Sequence, residues 1–272
     1  MTSVTKRLRQ VPGYAFLTVA ALLSVFPLYF MVVSATNTSQ DVLGSHLLPG
    51  TYLLENFKAL VTSQPLASAM WYSTVNAVAT TVLALIVCSL AGYGFEVFHS
   101  PGKDRLMGFL LLAIMIPFAA TMIPLFQMFA NFKMINTTAA VILPAIATPF
   151  LVLLFRQASR SFPHEILEAA RMDGLSEPGI FFRIFLPTMR STYAAAAVIT
   201  FMAAWNNFLW PKVVLINNAY QTMPMLISNL RAGYVVDYGV LMLAVLLASL
   251  PTMILFLVLQ RSFAEGITGA IK

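Results

Sequence analysis

Hydrophobic residues in this chain come in long blocks, and Lys, Arg, Asp and Glu fall almost wholly in the short intervals between them. Seven charge-free blocks run from Gln10 to Gln40, Ala59 to Phe95, Leu106 to Phe132, Met134 to Phe155, Ser191 to Pro211, Val213 to Leu230 and Tyr238 to Gln260. Each is near or above the roughly 20 residues that cross a bilayer as helix. The block at 213–230 stands apart, because Asn217, Asn218, Gln221, Thr222, Pro224, Ser228 and Asn229 interrupt it and point to an external loop or re-entrant segment. The pattern therefore predicts an all-α membrane protein of one domain, residues 1–272, with six transmembrane helices at about 13–36, 71–94, 106–130, 137–155, 193–216 and 240–260.

Composition agrees, with 59% hydrophobic and 10% charged residues in 272 against roughly 25% charged in a soluble domain. The apolar stretch from Tyr14 to Ala35 is too long for the core of a cleaved signal peptide and is expected to stay as the first helix. With both termini inside, Lys6, Arg7, Arg9, Lys103, Arg105, Arg156, Arg160, Arg171, Arg183, Arg190, Arg261 and Lys272 fall on the cytoplasmic side. Only Lys58, Lys133, Lys212 and Arg231 fall outside, a split of 12 to 4 among the 16 basic residues. That asymmetry follows the positive-inside rule and orients the bundle. The net charge of +6 then reports on topology and anionic lipid, and no nucleic-acid partner is expected.

Prolines inside the blocks, Pro117, Pro124, Pro144, Pro149 and Pro251, each remove a backbone hydrogen bond and are expected to bend their helices. Two polar stretches carry local signals: residues 37–70 form an external segment with a short helix near Glu55 to Val61, and Pro101-Gly102 marks a tight turn between the second and third spans.

The longest hydrophilic interval, 156–192, is the most informative. From Pro163 the run His164-Glu165-Ile166-Leu167-Glu168-Ala169-Ala170-Arg171-Met172-Asp173 is made of good helix formers, and Gly174 stands where a left-handed residue ends a helix. Ser176 is placed to cap a second helix, with Glu177 and Pro178 in its first turn and Ile180, Phe181, Ile184 and Phe185 on its apolar face. A helix, a Gly elbow and a second helix make a compact knob.

The order Glu168-Ala169-Ala170, three residues, Gly174, nine residues, then Ile184-Phe185-Leu186-Pro187 resembles the signature loop of binding-protein-dependent ATP-driven (ABC) importer permeases. Every signature position is matched. The resemblance implies a type I importer permease fold in which Glu168, Ala169, Ala170, Asp173, Gly174, Leu186 and Pro187 couple this chain to a cytoplasmic ATPase. Asn56-Phe57 and the Pro101-Gly102-Lys103 turn match family patterns too. Ala204-Trp205-Asn206-Asn207-Phe208-Leu209-Trp210-Pro211 resembles the carbohydrate-uptake branch, in which Glu is common at the position of Asn207. The tail from Gln260 to Lys272 looks like the Gly-rich ending of that branch, which in the maltose importer's smaller membrane subunit reaches into the ATPase dimer.

The partners so implied are a second homologous permease, two ATP-binding cassette ATPases and an extracytoplasmic sugar-binding protein, around a multi-pass subunit of the bacterial inner membrane. ATP and Mg would be bound by the ATPases, since this chain has no Gly-x-x-x-x-Gly-Lys-Ser/Thr loop, and no cofactor is expected in it. No metal site is expected either, since His46, His99 and His164 lie far apart in loops; Cys88 is alone in the second span.

Polar side chains inside the apolar spans mark a candidate solute pathway: Asn76, Gln127, Asn206 and Asn207, with Trp205 and Trp210 flanking the last pair. Amides suit sugar hydroxyls, and aromatic faces suit the C–H surface of a sugar ring; interhelical glue is the competing role. A secondary transporter would carry ionisable groups at mid-membrane and an intramembrane enzyme a catalytic constellation, and the spans hold neither. A permease for glycerol phosphate or another small solute stays open.

Overall fold

The computed structural model describes residues 3–269, with backbone alone for residues 3–12, 218 and 261–269, so that the last part of the 260–272 tail lies outside the described residues. Its helices are α1 (Ser3–Ala35), α2 (Ser39–Leu43), α3 (Leu53–Ser63), α4 (Leu66–Val97), α5 (Pro101–Ile114), α6 (Phe118–Asn131), α7 (Thr138–Ile142), α8 (Pro149–Arg160), α9 (His164–Met172), α10 (Glu177–Ile180), α11 (Leu186–Thr188), α12 (Arg190–Trp205), α13 (Leu209–Val214), α14 (Met223–Arg231) and α15 (Tyr238–Gly269). No strand occurs among the described residues.

Three stretches, Gly13–Ala35, Leu66–Val97 and Tyr238–Gln260, are long and apolar enough to cross a membrane alone. The expected third and fourth spans are not straight: α5 and α6 meet at 102°, and α7 with its 3₁₀ extension meets α8 at 45°. The fifth, expected at 193–216, is the 16-residue α12, then a break, then α13. Three unbroken helices and two bent pairs thus answer to five of the six expected spans, and the remaining one is a 16-residue helix followed by a break.

Prolines account for the breaks. A proline ring clashes with the carbonyl four residues back and offers it no N–H. Pro117 ends up as the residue that precedes α6, Pro149 as the first residue of α8, and Pro211 within the first turn of α13, where an N–H has no intrahelical acceptor anyway. One freed carbonyl finds a long-range partner. Pro144 deprives the Ala140 carbonyl, and the Trp210 indole Nε1 donates to it at 2.8 Å. Where Pro149 interrupts the chain, the Cys88 thiol donates to the carbonyls of Ile146 and Thr148 at 3.5 and 3.8 Å. Pro251, by contrast, lies within an unbroken α15.

The chain forms two compact units. One holds the residues up to Leu66 and Leu226–Leu250. Here the expected short helix exists as α3, and Asn56 on it donates from Nδ2 to the carbonyls of Ala35 and Asn37, each at 3.0 Å. A Cβ at Gly239 would lie 2.8 Å from that same amide nitrogen, so glycine is required for this close approach. Ser39 joins the same construction, its hydroxyl donating to Asp237 and accepting from the Tyr238 N–H.

The other unit holds Ala67–Met225 and the segment from Pro251 onward. In it α4 packs on α8 through Ala84, Cys88, Leu151, Val152 and Phe155. Gly92 permits the approach, since a Cβ there would lie 2.6 Å from the Phe155 Cβ and 2.7 Å from the Arg156 nitrogen. The Pro101-Gly102 pair is no turn but the first turn of α5, because Ser100 accepts from the Lys103 N–H and caps the helix one residue before Pro101.

Candidate functional site

The interval 163–188 folds into the expected helix, elbow and second helical segment. α9 ends in a Schellman arrangement: the Leu175 N–H donates to Ala170 and the Gly174 N–H to Arg171, at 3.1 and 3.0 Å, with Gly174 at φ +80°. On the inner face Leu167 and Ala170 meet Ile180, Phe181 and Phe185 in one buried cluster, to which Phe162 and Tyr93 belong and against which Ile184 and Leu186 pack. Outward, Glu168, Ala169, Asp173, Gly174 and Pro187 are exposed, next to Met172 at 89% exposure. Exposed acids beside an unburied Met form a surface suited to a protein partner.

Ser176 precedes α10 as expected but makes no side-chain cap bond. The role of holding the elbow belongs to Arg171 and Glu177, paired at 2.7 Å. The Glu177 carboxylate, as acceptor, holds the Arg171 guanidinium pKa above its ordinary value. Tyr93 on α4 donates to the other Glu177 oxygen at 3.3 Å and sets its ring edge-on against Phe181 and Phe185. From there the chain widens into a π-helical turn, Phe181–Phe185, in which the Leu186 N–H reaches back five residues to Phe181. Pro187, lacking an N–H, follows at once. None of Tyr93, Arg171 or Glu177 was singled out by the sequence as a coupling residue, although the charges at 171 and 177 flank the Gly.

A second polar feature lies in the same unit. Arg156, 5% exposed, donates from Nε to Glu96 at 3.1 Å and from Nη2 to Asp104, and Arg160 also pairs with Glu96 at 3.2 Å. The network ties α4, α5 and α8 together next to the knob.

Of the pathway candidates, the structure brings Asn207 to a cavity of about 270 Å³, together with Thr80, Thr148 and Thr200. Asn76 is 4% exposed and lies one helical turn from Thr80 on α4. Gln127 and Asn206 are exposed and do not line this cavity; the Asn206 amide donates to the Met202 carbonyl of its own helix. The indoles are used in packing: Trp205 stacks on Phe201 with centroids 5.8 Å apart, and Trp210 is set edge-on against Phe118 and Phe129. Neither lines the cavity.

Residues 89–269 match the family described as binding-protein-dependent transport system inner membrane component. The lactose transport system permease protein LacG of Rhizobium radiobacter is 43% identical over 272 residues, covering 100% of both chains. The chain belongs to this family. Other relatives of the permease include the arabinooligosaccharides transport system permease protein AraQ of Halalkalibacterium halodurans, 36% identical over 96% of this chain and 94% of that one. The sn-glycerol-3-phosphate permease protein UgpE of Salmonella typhi is 33% identical over 91% and 92%. A bacterial ABC transporter that imports the acidic polysaccharide alginate shares the fold, with a TM-score of 0.84 over 97% of this chain and 99% of that chain at 17% identity.

Proposed function

We propose that this permease is one of two membrane subunits of an ATP-driven importer for a neutral oligosaccharide, with its knob at 163–188 seated in a cytoplasmic ATPase. The observation that carries the reading is the stiff elbow: a Gly174 left-handed turn closed by the Arg171–Glu177 pair and backed by a buried aromatic cluster, with Glu168, Ala169 and Asp173 outward. Such a body transmits a push without bending. The second permease, homologous to this chain, completes the pathway, and two ATPases bind ATP and Mg. A binding protein delivers solute on the far side of the membrane, and both termini stay with the knob in the cytoplasm.

In this mechanism closure of the ATPase dimer moves the knob as a lever and turns the bundle outward, where solute enters; hydrolysis reverses the motion. The sugar assignment rests on the lactose and arabinooligosaccharide relatives and on a cavity lining without any charged side chain. A phosphate-bearing solute would call for a cation there. The test is uptake by the complete reconstituted importer of a labelled panel: lactose, arabino-oligosaccharides and glycerol 3-phosphate. Uptake of a neutral sugar with ATP hydrolysis stimulated by the binding protein is expected; uptake of glycerol phosphate alone would overturn the solute class and leave the permease reading intact.

A further inference from the structure

The cavity near Asn207 lies between two helix breaks, the 146–148 stretch before α8 and the 206–208 stretch after α12. Interrupted helices are where transporters build solute sites, because irregular backbone at membrane depth must line a polar space. Thr200 lines this space and is 7% exposed, yet its hydroxyl, buried at the wall, has no hydrogen-bond partner among the described residues. A threonine inside a helix ordinarily bonds the carbonyl a turn back. Valine would fill the same volume without an unpaired hydroxyl, so the site is built for a polar occupant.

A second unpaired atom points the same way. The Asn76 Oδ1, also buried, has no partner among the described residues. Ser73, Asn76 and Thr80 are all buried on α4 at a spacing that puts them on one face, and Thr80 reaches the cavity. Ser73, at the other end of this face, accepts from the Met223 N–H beside Thr222, whose own hydroxyl is buried and unpaired. A thread of hydroxyls and one amide thus runs from the 222–223 segment to the cavity, over about 10 Å of helix.

We infer that this cavity is a subsite for one ring of a neutral polyhydroxy solute, hydrogen-bonded by Thr200 and Asn207, and that Asn76 and Thr80 line its approach. The inference rests on the sugar-importer reading above. Small residues at Ala145 and Ala203 leave the room, Phe150 supplies apolar surface for the C–H face of the ring, and no charge is present to favour an ion. At about 270 Å³ the space is just under the roughly 300 Å³ at which pockets for whole small ligands begin, a size for one ring and not for a chain of them.

The test uses the reconstituted complete importer with Ala203→Cys, Cys88 being fully buried and an unreactive background. A small methanethiosulfonate should label the new thiol, and the neutral sugar that the wild-type complex carries best in the panel should protect it. Adding Thr200→Val should raise the half-protecting sugar concentration and the uptake KM together by five- to tenfold, Thr200→Ser should restore both, and Asn207→Leu should act like Thr200→Val. A merely structural loss would lower the maximal rate and leave the protecting concentration unchanged, which would overturn the site. So would a thiol that sugar fails to protect, or one that never reacts because a neighbouring subunit fills the space. A wild-type complex that carries no neutral sugar would overturn the importer reading first and this subsite with it.

Discussion

Arg171 and Glu177 meet at 2.7 Å across the Gly174 turn, one residue from the end of α9 and the other at the start of α10. The pair closes a seven-residue loop, 171–177, whose backbone is already fixed by the Schellman bonds, so little conformational freedom remains for the knob to lose when it docks. The coupling role proposed for the knob needs this stiffness.

Gly174 sets the first prediction. A Cβ there meets nothing within 4 Å, so substitution brings no collision, only the cost of a left-handed backbone at φ +80°. That cost is roughly 1 kcal/mol for Ala and greater for a β-branched residue, and Asn tolerates the region best after Gly. Binding-protein-stimulated ATPase and uptake in proteoliposomes should therefore fall in the order Gly, Asn, Ala, Val. A Val variant with near-normal transport would show that the elbow is not a coupling element.

The helices and elbow of the knob were legible from sequence because they are local: helix formers, Gly174 and an apolar spacing within residues 163–188. What could not be read is whatever arrives from far along the chain. Tyr93 reaches Glu177 from 84 positions away, Trp210 serves Ala140 across 70, and Cys88 covers carbonyls near 146 and 148. The same holds for the spans. Prolines announced bends, but Asn206 shows that a polar residue in an apolar block can be spent on its own helix. The cavity instead gathers threonines, whose hydroxyls hardly disturb hydropathy.

Arg156 and Arg160 share the Glu96 carboxylate but differ in burial, their side chains being 6% and 51% exposed. An exposed pair contributes little, roughly 0–1 kcal/mol, whereas a partner removed from a buried pair strands its counter-charge. Arg156→Met should lower the thermal midpoint of the purified complex by several degrees, and Arg160→Met by about a degree. Differential scanning fluorimetry in detergent compares them, and equal shifts would mean that the network is solvated and not part of the packing.

Asp41 gives a pH dependence. It accepts from the Thr38 hydroxyl and N–H in the capping box of α2, and these bonds hold its carboxyl below the ordinary 3.8. A folded pKa below the unfolded one means that the contribution is complete above the unfolded value and is lost as pH falls through the lowered value. Amide exchange in α2 should therefore quicken at acid pH beyond its intrinsic change, and Asp41→Asn should abolish that extra acid dependence.

The proposed orientation rests on the basic residues. Single cysteines at Ser100 or Ser176 should resist an impermeant thiol reagent applied to intact cells, and one at Ser45 should react, with buried Cys88 silent throughout. Reaction at Ser176 with protection at Ser45 would invert the assignment.

Gly92 gives the most demanding case. It lies where α4 touches the backbone of α8: a Cβ would stand 2.6 Å from the Phe155 Cβ and 2.7 Å from the Arg156 nitrogen, and neither atom belongs to a flexible side-chain end. Relief is possible only by separating the helices, which loosens the Phe155 packing and drags on the Arg156–Glu96 pair one residue further along. Overpacking of this kind costs about 1–3 kcal/mol. Gly92→Ala should therefore lower the thermal midpoint, Gly92→Val should lower it more, and Gly94→Ala, where no atom lies within 4 Å of the new Cβ, should leave it unchanged. Because Tyr93, which reaches Glu177, is adjacent, the Gly92 variants should also reduce the coupling of ATPase to uptake, more uptake being lost than hydrolysis. If Gly92→Val and Gly94→Ala proved alike in both measurements, the close contact of α4 with α8 would not be a feature of the working permease.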